Sequence, residues 1–312
     1  MGQGRLDFLP FLCVAMSLAL SLACLFPGPA FAVPLGIETA GPDHTFGFGV
    51  DFRYQTRDLK RDSYRRTTSW RTVLNSVGKP PGRDVERAFS RTRMGLAVVS
   101  MKFRDYLDPY LLLGGVRMES EHEIHANGTR FFKEEFVSST GLAGGFGIKG
   151  MIFDIPFSDP SLPSGLNFHF DLSYLQYQAS LAPHVEVPNG PQESFKDYYR
   201  SAASDDIASD YRLNSYEGNL KLLASAPWGP LVPYTGLSLT RQRMVIEGEV
   251  ADWQSGGLTK IHDRYVLVNR HLLSPIVGMS WHITPDLRAN LEGEGGDGWD
   301  RWNATGGLAY FF

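Results

Sequence analysis

The sequence predicts an all-β fold: a transmembrane, antiparallel, up-and-down β-barrel of about ten strands, with eight or twelve as alternatives. Three observations predict it. Polar and apolar residues alternate with period two along several segments, the connections between those segments alternate in length, and the chain stops on an amphipathic aromatic strand. The mean hydropathy of -0.19 does not oppose this reading. A membrane strand turns only alternate side chains to lipid, so half of them can stay polar.

The alternation comes first. Phe46, Phe48, Val50, Phe52 and Tyr54 interleave with Gly47, Gly49, Asp51, Arg53 and Gln55. Leu166, Phe168, Phe170, Leu172 and Tyr174 interleave with Asn167, His169, Asp171 and Ser173. On this pattern Phe170 faces lipid and Asp171 faces inward. Tyr110, Leu112, Gly114, Val116 and Met118 are assigned to the outer face, opposite an inner row ending in Arg117, Glu119 and Glu121. Leu287, Ala289 and Leu291 alternate with Arg288, Asn290, Glu292 and Glu294. Ten segments of membrane-strand length follow, near 44–57, 87–103, 109–122, 139–153, 166–180, 214–226, 232–248, 265–283, 286–296 and 301–312. In 87–103 and 232–248 both faces carry apolar residues, which leaves the pairing there ambiguous. After Val33 no apolar run is long enough for a membrane helix.

The connections are the second signal. Short turns fall at 105–108, 160–163, 227–230 and 284–286. Long connections fall at 58–86, 123–138, 181–213 and 249–264, with a short fifth near 295–300. A soluble antiparallel sandwich would also alternate, but it does not require this rhythm.

The third signal is the ending, Gly307-Leu308-Ala309-Tyr310-Phe311-Phe312, with Trp302, Ala304, Gly306, Leu308, Tyr310 and Phe312 on one face. Here the chain resembles the outer-membrane β-barrel proteins of Gram-negative bacteria, and the resemblance spans residues 33–312. It implies residence in the bacterial outer membrane, with short turns on the periplasmic side and long loops outside. It also implies Tyr310 and Phe312 as an assembly signal, read by periplasmic chaperones and the barrel-assembly machinery. It carries no specific activity.

Residues 1–32 read as a cleaved signal peptide. Arg5 precedes an apolar run from Phe8 to Phe26, and Ala30-Phe31-Ala32 supplies small residues before Val33. An uncleaved anchor is the alternative. Both cysteines, Cys13 and Cys24, lie in this segment, so residues 33–312 can form neither a disulfide nor a thiolate metal site. Residues 33–312 are expected to form a single barrel domain.

Charges on the inner faces are Asp51, Arg53, Arg117, Glu119, His169, Asp171, Glu217, Lys221, Arg288, Glu292 and Glu294. Both signs occur, so they form either an ion-paired filling or a pore lining. Residues 57–93 hold eleven Lys or Arg against four acids. As an external loop this stretch would meet lipopolysaccharide phosphates, with Arg57, Lys60, Arg61, Arg65, Arg66 and Arg71 as the candidate contacts. Nucleic acid is not expected as a partner in this compartment. The acidic stretch 181–213 carries Tyr198, Tyr199 and Tyr211 and could cap the barrel or bind a cation or partner.

No catalytic residue, cofactor or metal site is assigned. The sequence lacks the Asp-x-His of omptin-type proteases, and His262-Asp263 are adjacent, so a strand would point them to opposite faces. His169, Asp171 and Ser173 make a weak deacylase-like row. His122 and His125 with Glu119, Glu121 and Glu123 make the best metal cluster, yet 122 and 125 fall on opposite sides of a strand. Three functions remain: a non-enzymatic surface barrel binding lipopolysaccharide or a partner, a narrow porin-like channel, or a surface hydrolase.

Overall fold

The computed structural model describes residues 46–68, 83–102, 107–126, 129–159, 162–186, 192–194, 208–254, 257–270, 272–295 and 302–312. The signal-peptide reading therefore falls outside the described residues. So does residue 71.

Thirteen strands form one antiparallel sheet. They are β1 (Phe46–Thr68), β2 (Arg83–Met101), β3 (Leu107–Ala126), β4 (Thr129–Ser138), β5 (Gly141–Pro156), β6 (Gly165–Glu186), β7 (Gln192–Ser194), β8 (Ala208–Ser225), β9 (Leu231–Gln254), β10 (Gly257–Asn269), β11 (Leu273–His282), β12 (Leu287–Gly295) and β13 (Trp302–Phe311). The short β7 pairs with β6 alone. β4 runs on into β5, and β10 into β11, each after a break of two or three residues.

Those breaks divide the wall into two tiers. The lower tier closes through ten strands, in the order β1, β2, β3, β5, β6, β8, β9, β11, β12, β13 and back to β1. The upper tier closes through eight: β1, β2, β3, β4, β6, β8, β9, β10 and back to β1. The difference is the β12–β13 hairpin. It stops at Gly295 and Trp302, and above it β10 pairs directly with β1 from Leu59↔Asn269 upward. Closure matters because no strand edge is left unpaired in lipid.

The handover points are stitched. Arg270 N–H donates to the Asp58 carbonyl at 3.2 Å and Thr240 N–H to that of Leu272 at 2.7 Å. The buried Asn269 amide accepts from Gln242 N–H and donates to the Thr240 carbonyl, both at 2.8 Å. A side chain thus supplies partners where the ladder changes strands.

The lower tier carries the lipid belt. Phe52, Leu111, Leu113, Leu142, Val277 and Leu291 are each more than 60% exposed although apolar. Aromatic side chains edge this belt. Phe46, Phe157, Trp228, Trp281, Tyr310 and Phe312 lie at the turn end, and Tyr54 and Trp302 pair at 4.9 Å at the other. From Phe46 to Tyr54 is about 26 Å along the strand, or about 20 Å along the normal at a ~40° tilt. That is close to the ~25 Å apolar band of outer-membrane barrels.

Several sequence expectations need correction. The expected connections 123–138 and 249–264 are almost wholly strand, and 58–86 and 181–213 are strand at both ends: β1 runs to Thr68 and β2 starts at Arg83, β3 runs to Ala126, β6 to Glu186, β8 starts at Ala208 and β9 runs to Gln254. These are the protruding parts of the wall. The assigned faces of β3 are reversed. Tyr110, Leu112, Val116 and Met118 are buried inside, at 6%, 3%, 1% and 0% exposure, while Leu111 and Leu113 face out. Phe170 does sit on the outward face, but Leu107, Ile148 and Ile152 cover it to 2% exposure.

Candidate functional site

The interior is the first place to look for function, because strand alternation sends half of all side chains there. Asp51 and Arg53 sit two residues apart on β1 and therefore point the same way. They pair at 3.1 Å, with Asp51 buried. Across the lumen, Lys221 of β8 pairs with Glu292 of β12, and Tyr234 donates to the other oxygen of Glu292 at 3.3 Å. Tyr110 donates to Asp171 at 2.7 Å. Higher up, Arg57 meets Glu217 at 3.0 Å with both side chains under 10% exposed, and Asn303 donates to Glu294 at 3.0 Å. Arg288 lies over the Phe311 ring at 4.7 Å.

Two glycines position the tyrosines of this network. Tyr110 faces Gly147 and Tyr234 faces Gly278 directly across the ladder. A Cβ on either glycine would run into the ring, so only glycine lets each ring lie flat and aim its hydroxyl at a carboxylate.

Above the charges the lumen turns apolar. Phe136 of β4 meets His122 of β3 at 5.0 Å, Tyr211 of β8 at 5.6 Å and Tyr265 of β10 at 6.2 Å between ring centroids. These rings come from separate parts of the wall and meet across its interior. Leu59, Ala88, Met118, Leu213, Met244, Ile246 and Leu267 fill in around them, each at most 1% exposed. The charged filling is thus roofed by a close-packed aromatic and aliphatic layer.

The predicted residues divide as follows. Asp51, Arg53, His169, Asp171, Glu217, Lys221, Arg288, Glu292 and Glu294 point into the lumen. Arg117 and Glu119 do not. Both lie on the outer face of β3, because their parity is that of Leu111 and Leu113. Arg57 is no surface phosphate contact, since it is buried inside against Glu217. Lys60 is exposed, while the side chains of Arg61, Arg65 and Arg66 lie outside the described residues. Tyr310 and Phe312 face outward on the last strand with ring centroids 6.3 Å apart. Tyr211 belongs to the interior layer rather than to an acidic loop.

The enzyme-like and metal-like groupings come apart. His169 meets Ser225 at 2.9 Å, across the ladder from the Ser173 row, while Asp171 is engaged by Tyr110. His122 is inside and Glu119 and Glu121 are on the outer face. Among the described residues no group of three His, Cys, Asp or Glu side chains is placed to hold a metal. Sequence reading missed Phe136 and Tyr265 as a lumen layer, because Phe136 fell within an expected loop. Reversed alternation above the belt, apolar inside and charged outside, is the signal that would have found them.

A closed wall, an apolar belt of membrane height and aromatic edges give the chain the architecture of a transmembrane antiparallel β-barrel. No protein-family model matches it, and no curated protein matches it in sequence. Among solved structures it is similar to the outer membrane protease OmpT of Escherichia coli, at 11% identity and a TM-score of 0.45, over 88% of this chain and 98% of that one. It is also similar to the translocator domain of the autotransporter NalP of Neisseria meningitidis, at 12% identity and 0.37, over 87% and 90%. A third is the outer membrane protein OprG of Pseudomonas aeruginosa, at 8% and 0.34, over 86% and 96%.

Proposed function

We propose that the protein is a closed-lumen barrel that works from its cell-surface side rather than by conducting solutes. The observation that carries this reading is the Phe136–His122–Tyr211–Tyr265 layer, buried across the eight-strand tier. A solute rising from the charged lower lumen would have to displace it. The ion pairs beneath neutralise one another, as charges held away from bulk water must. Protruding strands and their loops then offer the working surface, to outer-leaflet lipid, lipopolysaccharide or a partner. Assembly by the barrel machinery through Tyr310 and Phe312 belongs to the same reading.

The second reading is a narrow channel. It is favoured by the mixed-sign lower lumen, where the Arg53 and Lys221 side chains each keep 17% exposure. Planar-bilayer recording separates the two. The purified full-length barrel is expected to insert without unitary conductance steps. Stable, reproducible steps from the unmodified protein would replace the closed-lumen reading with the channel.

A further inference from the structure

We infer that the outer wall of β2 and β3 holds a binding site for the phosphate of an acylated lipid in the outer leaflet, formed by Arg93 and Arg117 above a trough of small residues. The site rests on the outer-membrane setting, but not on whether the lumen conducts.

The register places Arg93 directly opposite Arg117. Like charges facing each other across an antiparallel pair repel and cost stability unless something neutralises them. The neighbouring acids only partly do so. Arg91 pairs with Glu121 at 3.2 Å. Arg93 reaches Glu119 at only 3.9 Å and keeps 60% of its side chain exposed. Arg117 is exposed and forms no ion pair among the described residues. Glu119 and Glu121 both lie on the far side of this rung from the belt, so the two guanidinium groups nearest the hydrocarbon face lack a full counter-charge.

Height decides what could supply it. Arg93 is in register with Tyr54, its guanidinium carbon lies 6.0 Å from the Tyr54 ring, and Tyr54 packs on Trp302. The arginine pair therefore sits at the upper aromatic edge, where headgroups begin. Directly below it the wall is smooth. Gly95 and Gly115 face each other in the next rung, and Ala97 faces Leu113 in the one after. A Cβ on Gly115 would meet nothing nearer than the Thr140 methyl at 3.6 Å, and one on Gly95 nothing nearer than Phe52 at 3.7 Å, so both positions open outward. Two forked cations above a shallow apolar channel fit a phosphate with an acyl chain hanging from it.

The test uses full-length barrel folded in detergent. Binding of bis-phosphorylated lipid A, of the same lipid with its phosphates removed, and of inorganic phosphate alone is measured by native mass spectrometry. The unmodified barrel is expected to retain lipid A and to lose about tenfold or more in affinity when the phosphates are removed. Arg93→Ala/Arg117→Ala should show a similar loss. Gly115→Leu keeps both arginines and fills the trough, so it should weaken lipid A binding as well. Heat-shifted electrophoretic mobility verifies that each variant is folded. Equal retention of phosphorylated and dephosphorylated lipid, or unchanged binding by the folded double variant, overturns the site. Binding of inorganic phosphate as tight as that of lipid A overturns its assignment to a lipid.

Discussion

Below the Tyr54–Trp302 row the barrel has ten strands and shows apolar side chains outward; above it the barrel has eight strands and shows charge. Leu111 and Leu113 give way along β3 to Arg117, Glu119 and Glu121, while the inward row stays in phase from Tyr110 and Leu112 through Met118 to His122. The strand does not slip. Only the solvent outside it changes, from hydrocarbon to water, and the outer residues follow. The inside changes in the opposite sense. The lower lumen encloses Asp51, Arg53, Lys221 and Glu292, and the upper one encloses Phe136, Leu213, Ile246 and Leu267. A wall standing in water must gain its stability from an apolar interior, as any soluble barrel does. A wall standing in lipid gains nothing from hiding apolar groups and can keep polar ones inside if they are paired.

The largest expected effect tests the upper half of that contrast. Phe136→Ala removes the ring at the centre of the apolar layer and should destabilise the barrel by about 3–5 kcal/mol, the cost of emptying a packed aromatic site. Urea unfolding into lipid vesicles measures it. The same variant, recorded in a planar bilayer, should show current where the unmodified barrel shows none. A loss under about 1 kcal/mol with no current would mean that the layer neither holds the upper tier together nor seals it.

Leu113→Arg tests the lower half. Leu113 is 69% exposed in the belt, and an arginine near mid-bilayer should cost about 2–4 kcal/mol. Phe170 is the poorer probe. Leu107, Ile148 and Ile152 cover it, so a substitution there would mix a packing loss with the lipid cost. A parallel titration of Leu113→Gln sharpens the result. A clearly larger penalty for the charged side chain than for the neutral polar one places Leu113 in hydrocarbon, and equal small penalties for both would remove it from the belt.

The same contrast explains what the residues alone disclosed. β1, β12 and β13 were legible because in the membrane their two faces differ sharply: Phe48, Val50 and Phe52 against Gly49, Asp51 and Arg53. β3 was not, because Tyr110, Leu112, Val116 and Met118 compete with Leu111 and Leu113 for the apolar face. The polar tail of Arg117, Glu119 and Glu121 then tipped the assignment inward. Inside hydrocarbon that rule is right, and beyond it the rule reverses. The ion-paired lumen was visible as mixed charge, whereas Leu59, Phe136, Tyr211 and Leu213 of its apolar roof were hidden in stretches whose polarity made them look like loops. The Arg93–Arg117 rung could not be seen at all until the register between β2 and β3 was known.

The smallest expected effect locates the water line. Arg264 Nε meets Glu247 at 2.6 Å on the outer face of β10 and β9, and the two side chains are 42% and 40% exposed. If that face stands in water, Arg264→Ala should cost no more than about 1 kcal/mol, as exposed pairs generally do, and raised salt should shrink even that. The pair lies in the upper tier, two rungs from the apolar Val266, so it discriminates sharply. A loss of several kcal/mol would mean that the guanidinium leaves an uncompensated carboxylate in a dry environment. The membrane, or a bound partner, would then reach higher than the Tyr54–Trp302 row. The charged outer face of the upper tier would have to be explained by contact rather than by water.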